Sequence, residues 1–200
     1  METDEYSEKE FFIMKKKFGT EELVLCALFT ALTAVGAFIQ IPVPGMDYFT
    51  LQFLFVLMAG MLLGSRDGGI AVGVYVLLGL FGLPVFAAGG GITYLFRPSF
   101  GYLAGFIVAA FVTGFISEHL RKRDFAGYLL SAFGGFVVTY GIGLVYKYLM
   151  LNFYVGEKTA FVLVIADCFP LDMPGDIVLC IISALLAVRL VPIMKRIINS

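Results

Sequence analysis

Between Asp124 and Lys147 the chain runs without a charged residue, and it does so again between Glu22 and Asp47, between Asp67 and Arg97, and between Arg97 and Glu118. These stretches are apolar along their length rather than at every second position. That limits the fold. In lipid every backbone N–H and C=O needs a partner within the protein, so only helices and closed barrels cross a membrane. A barrel strand alternates apolar and polar residues, and these runs do not. They predict an all-α integral membrane protein. Composition agrees: 60% of the residues are hydrophobic and 14% charged, against about 45–50% apolar in a soluble domain. The net charge of −1 says nothing about nucleic acid, but no basic patch lies outside the helix ends, and no nucleic-acid partner is expected.

Six spans are expected: Glu22 to Ile41, Thr50 to Gly64, Gly68 to Leu83, Phe100 to Ser117, Phe125 to Leu151, and Gly175 to Val191. Helix breakers separate them, among them Pro42, Pro44, Gly45 and Pro84. The second span is short for an upright crossing of about 20 residues. The loop from Asn152 to Phe169 is apolar enough to carry a short helix. The first span exceeds a signal-peptide core of about 7–15 residues, so it reads as a retained helix. Residues 1–21 form a polar tail and residues 22–196 a single membrane domain.

Small residues recur at helical spacing. Ala27 and Ala31, Thr30 and Ala34, and Thr33 and Ala37 are pairs four apart in the first span. Gly69 and Gly73 have GxxxG spacing in the third, and Gly101, Gly105, Ala109 and Thr113 form a stripe in the fourth. Such stripes let helices approach closely in lipid. In the first span this means either packing within the bundle or a docking face for another protein.

Six spans place both termini on one side. Of the 14 Lys and Arg residues, eleven fall on that side, including Lys15, Lys16, Lys17, Arg66, Arg121, Lys122 and Arg123; only Arg97, Lys147 and Lys158 fall on the other. The positive-inside rule makes the first side cytoplasmic. The chain is expected to be multi-pass in the cell membrane with both termini cytoplasmic. The glycine-rich loop at Gly89, Gly90 and Gly91, the Asp47 loop and the Asp167–Asp176 segment then face outward.

Catalytic chemistry finds no support. Cys26, Cys168 and Cys180 lack metal-ligand spacing, and the two within predicted spans, Cys26 and Cys180, read as small apolar residues. The lone histidine, His119, reads as a helix-boundary residue. No P-loop, Ser-His-Asp set or HExxH motif occurs. Neither enzyme, metal nor cofactor is expected. The outward polar residues suit binding instead. Gly90 and Gly91 allow close backbone approach to a ligand. Arg97 carries a planar fork that matches a carboxylate. Gln52 and Asn152 each donate and accept hydrogen bonds. Tyr94 and Tyr102 can wall a ring, Lys147 is a second cation, and Asp176, after Pro174 and Gly175, can cap the last span and accept from a ligand.

Several of these pieces, in this order, resemble a known family. They are ALFTALTAVGAFIQIPVP followed by FTLQ at Phe49 to Gln52, then GLFGLPVFAAGGG, PSFGYLAGF, and PGD at Pro174 to Asp176. Together they are similar to the BioY family, the biotin-specific S components of energy-coupling-factor (ECF) transporters. The resemblance implies a six-helix ECF S-component bundle that captures biotin, or a close carboxylated relative, in its outer half. It implies that the loops after the first and third spans close over the vitamin. It also implies that Ala27 and Ala31 face a membrane coupling subunit, the T component, which works with two ATPase subunits. Arg97 stands where many relatives have glycine, and Leu179 and Cys180 stand where relatives often have a lysine, so Arg97 is expected to hold the ligand carboxylate. The alternative is a stand-alone secondary transporter, and the absence of a charge at mid-depth of any span disfavours it.

Overall fold

A computed structural model of the chain describes residues 19–42, 48–168 and 172–198. Residues 1–18 of the polar tail and Asp47 lie outside the described residues, and the rest of the tail, from Thr20, already belongs to the first helix. Seven α-helices occur among those described: α1 (Thr20–Phe38), α2 (Gln52–Leu63), α3 (Ser65–Leu80), α4 (Phe100–Glu118), α5 (Phe125–Leu149), α6 (Phe161–Cys168) and α7 (Asp172–Ile198). A short hairpin, β1 (Gln40–Pro42) with β2 (Tyr48–Thr50), joins α1 to α2 and pairs Gln40 with Thr50. A 3-10 turn (Ile92–Phe96) precedes α4, and a π turn (Met150–Val155) prolongs α5. Among the described residues, four helices are long and apolar enough to cross a membrane, namely Thr20–Phe38, Phe100–Glu118, Phe125–Val155 and Asp172–Met194.

Helix α2 is the axis of the bundle. At 12 residues it is only about 18 Å long, well short of an apolar bilayer core of about 30 Å. Its sequence is apolar all round, as a helix surrounded by other helices must be. Phe53, Val56, Leu57 and Ala59 are essentially inaccessible, and α1, α3, α4 and α7 all pack on it. The central helix can be short because its neighbours, not lipid, satisfy its surroundings. Large apolar side chains such as Leu130, Val137 and Leu185 lie on the outside of the bundle, the exposure expected of a lipid-facing surface.

Glycine lets the helices touch. A β-carbon on Gly101 would lie 2.3 Å from Tyr146, and one on Gly143 would lie 2.4 Å from the Tyr102 ring, so α4 and α5 form the most extensive contact of the fold. The stripe read in α4 therefore packs inside the bundle. The Gly69–Gly73 pair does not: Gly69 has ordinary spacing to Phe111, and the tight approach is one residue earlier, where Gly68 meets the Ala59 carbonyl. In α1 the small residues divide. Thr30, Thr33 and Ala37 are buried, and the Thr30 hydroxyl donates to the Ala71 carbonyl of α3 at 2.8 Å. Ala27 and Ala31 are exposed on another face.

Several helix boundaries differ from expectation, and two of them have evident local reasons. Helix α3 ends at Leu80, before Pro84, because Gly82 takes φ 104° and closes a Schellman motif. Leu83 N–H donates to the Leu78 carbonyl, and Gly82 N–H donates to the Gly79 carbonyl. Helix α7 begins at Asp172 rather than Gly175, since Pro174 falls in the first turn, where no N–H is required. Asp176 is consequently one turn inside α7 and is not its cap. Elsewhere polar side chains hold the helix ends. Glu118 accepts from Ser65 N–H at 2.7 Å and from the Ser65 hydroxyl at 2.9 Å, and Asp124 accepts from Gly127 N–H at 2.9 Å. His119 ends α4 with Nδ1 2.8 Å from the Phe115 carbonyl oxygen, the boundary role expected of it.

Candidate ligand-binding site

The hairpin, the segment before α4, the far end of α5, and α6 gather at one end of the bundle around a cavity of about 680 Å³. That volume falls in the range of small-molecule sites, about 300–1,000 Å³. The first turn of α2 borders it through Gln52 and Phe53, bringing the positive end of that helix dipole to the wall. Phe49, Phe53, Leu103, Phe106 and Val164 supply apolar surface. Phe49 reaches its place because Gly175 has no side chain; a β-carbon there would lie 2.5 Å from the Phe49 ring.

The polar groups are few and fixed. Gln52 is buried, its Oε1 accepting from the Thr50 hydroxyl at 3.0 Å and its Nε2 donating to the Tyr75 hydroxyl. Tyr75 in turn donates to the Val85 carbonyl at 3.0 Å. One amide hydrogen and one lone pair of Gln52 remain for a ligand. Asp176 Oδ2 accepts from the Tyr140 hydroxyl at 2.8 Å, leaving Oδ1 as an acceptor. The Tyr140 and Tyr102 rings meet edge to face at 5.7 Å, and the Tyr102 hydroxyl lies 3.1 Å from Cys168 Sγ. Lys147 Nζ donates to Asp167 Oδ2 at 2.6 Å. Lys147 is the one cation among the described lining residues, against the carboxylates of Glu157, Asp167, Asp172 and Asp176. No group of three or more His, Cys, Asp or Glu side chains among the described residues is placed to hold a metal ion. The arrangement suits reversible binding of a small molecule with an apolar ring and hydrogen-bonding edges.

The structure brings together Gln52, Tyr94, Tyr102, Lys147 and Asp176 on this wall. It places the other candidates elsewhere. Arg97 is exposed, with its guanidinium 5.2 Å from the centroid of the Tyr94 ring, and it does not line the cavity, although its neighbours Pro98 and Ser99 do. Gly90 and Gly91 pack against the end of α3. A β-carbon on Gly90 would lie 2.1 Å from the Leu83 carbonyl oxygen, and Gly91 N–H donates to the Gly79 carbonyl at 2.7 Å. Their backbone approaches protein rather than the cavity. Asn152 uses its amide to clip the turn after α5, donating to the carbonyls of Tyr148 and Thr159 and accepting from Thr159 N–H.

Sequence reasoning missed Tyr140, Asp167 and Cys168 as wall residues. For Tyr140 a signal existed: it precedes Lys147 by seven residues, two helical turns, so both lie on one face of α5. Asp167 begins the segment already read as facing outward, though nothing singled it out, and Cys168 had no signal; only the fold of α6 back over α5 turns both inward.

Residues 14–196 match the BioY family. A protein of Lysinibacillus sphaericus described as a probable biotin transporter BioY is 42% identical over 182 residues, covering 91% of this chain and 92% of that protein. The biotin transporter BioY of Thermotoga maritima is 42% identical over 170 residues, covering 84% of this chain and 95% of that one. The crystal structure of the S-component for biotin from an ECF-type ABC transporter superposes with a TM-score of 0.75 at 26% identity, covering 87% of this chain and 94% of that one. A match along nearly the whole chain, shared by sequence and fold, leaves one conclusion: the chain belongs to the BioY family.

Proposed function

We propose that this chain is the substrate-binding membrane subunit of an ECF-type importer and that it captures biotin from outside the cell. The observation that carries the reading is the cavity itself, in a chain of this family. Its polar groups match biotin part by part. The ureido ring needs an acceptor for its N–H groups and a donor for its carbonyl, which Asp176 and Gln52 provide. The thiophane ring needs an apolar wall, which the phenylalanines and Tyr102 provide. The valerate needs a cation, and Lys147, rather than the exposed Arg97, lines the space where it would lie. Arg97, Gly90 and Gly91 then shape the segment bordering the site.

In this reading α1 to α5 and α7 make six crossings, with α6 lying across the outer end. Both termini are cytoplasmic, which the Lys and Arg distribution supports. The exposed Ala27 and Ala31 face of α1 docks a membrane coupling subunit, and two ATPase subunits drive the cycle. Copurification tests this directly. Tagged chain expressed with a coupling subunit and ATPases should bring down all of them, and biotin uptake should need ATP. Uptake by the chain alone in proteoliposomes would instead identify a self-sufficient carrier.

A further inference from the structure

The cation on the cavity wall is already engaged. Lys147 Nζ lies 2.6 Å from Asp167 Oδ2, and Cys168 Sγ lies 3.8 Å from the same nitrogen. The two partners are unequally placed. The Lys147 side chain is 14% exposed and Asp167 is 43% exposed. Lysine is held in the wall, while the carboxylate sits in the last turn of the eight-residue α6, where water can receive it. The same wall carries three further carboxylates, Glu157, Asp172 and Asp176, and no second cation among its described residues. An incoming carboxylate has one ammonium to pair with, and a resident carboxylate occupies it.

We propose that Asp167 is an internal competitor for the ligand's carboxylate: it neutralises Lys147 while the site is empty and is displaced when a carboxylated ligand binds. The inference rests on the reading that this cavity takes biotin. Asp167 thus makes specificity two-sided. A ligand with a carboxylate recovers the charge pair that it breaks. A neutral ligand leaves the Lys147–Asp167 pair in place and gains nothing from Lys147. Displacement is tolerable because the released carboxylate is hydrated, whereas a lysine deprived of both partners would be a poorly solvated unpaired charge. A lysine could not play the competitor's part, since the resident group must carry the ligand's own sign.

The test is equilibrium binding of biotin and of biotin amide to the purified full-length chain, in four forms: wild type, Asp167→Asn, Lys147→Gln and the double variant. Asp167→Asn keeps the side-chain shape and removes the competing charge. It should tighten biotin about tenfold while moving biotin amide by less than about twofold. In the Lys147→Gln background the same substitution should have no effect on biotin, because the two residues act on one interaction. Asp167→Ser, which shortens the side chain, should tighten biotin in the same direction. Weaker biotin binding in Asp167→Asn, equal changes for both ligands, or a gain that persists without Lys147 would each overturn the proposal and make Asp167 a brace for the wall. A wild-type chain that binds neither ligand would overturn the biotin reading itself, and this inference with it.

Discussion

Asp176 stands one turn inside α7 with one oxygen taken by the Tyr140 hydroxyl at 2.8 Å. Asparagine at that position would still accept from Tyr140 but would lose the ionic acceptor that a ureido group favours. Asp176→Asn should therefore weaken biotin at least about tenfold while the protein still elutes as a folded species in detergent; unchanged affinity would leave Asp176 as a partner for Tyr140 alone. The two cations separate in the same assay. Lys147→Gln should raise the dissociation constant for biotin about tenfold or more, and Arg97→Gln by less than about threefold. The reverse order would return the carboxylate to Arg97. At this scale the sequence was only partly legible. Gln52, Tyr94, Tyr102, Lys147 and Asp176 were recognisable as polar or aromatic residues at helix ends. Arg97, Gly90, Gly91 and Asn152 looked equally suitable, because residue type does not say whether a loop turns its groups toward a cavity or spends them on its own backbone.

The helix pair α4–α5 shows what glycine does at the scale of an element. Two glycines of α5 differ only in what faces them. A β-carbon on Gly143 would lie 2.4 Å from the Tyr102 ring, whereas one on Gly141 would meet nothing within 4 Å. Gly143→Ala should force Tyr102 from the cavity wall at a cost of about 1–3 kcal/mol, lowering the melting temperature in detergent and weakening biotin binding. Gly141→Ala should raise the melting temperature or leave it unchanged, because alanine is favoured over glycine in a helix by roughly 0.5–1 kcal/mol. Equal effects of the two substitutions would contradict this packing. Most elements were readable from apolar runs and breakers. The ends of α3 and α7 were not, since Gly82 stops the one before its proline and Pro174 is tolerated in the first turn of the other. The short helix expected between Asn152 and Phe169 is α6, but its role in closing the cavity depends on contacts with α5 that no local pattern encodes.

At the scale of the whole molecule, the proposed binding site and the proposed coupling face lie on different surfaces. The cavity lies at the end of the bundle where α4 begins, whereas Ala27 and Ala31 are exposed about the middle of α1. Ala27→Trp or Ala31→Trp should abolish copurification of the coupling subunit and uptake, because helices associate in lipid by close packing. Binding by the isolated chain should remain within about twofold of wild type, since neither residue touches the cavity wall. Loss of binding would place that face inside the fold's own packing; normal uptake with partners attached would make it a lipid-facing surface. The family and the helical membrane architecture were legible because they rest on long patterns that tolerate local error. The most direct measurement is saturation binding of radiolabelled biotin to the purified chain, with unlabelled biotin, lipoate, thiamine and riboflavin as competitors and Asp176→Asn as the control. One saturable site displaced only by biotin, and weakened in the variant, is the predicted result; no saturable biotin site, or a site displaced equally by the other vitamins, would contradict the account.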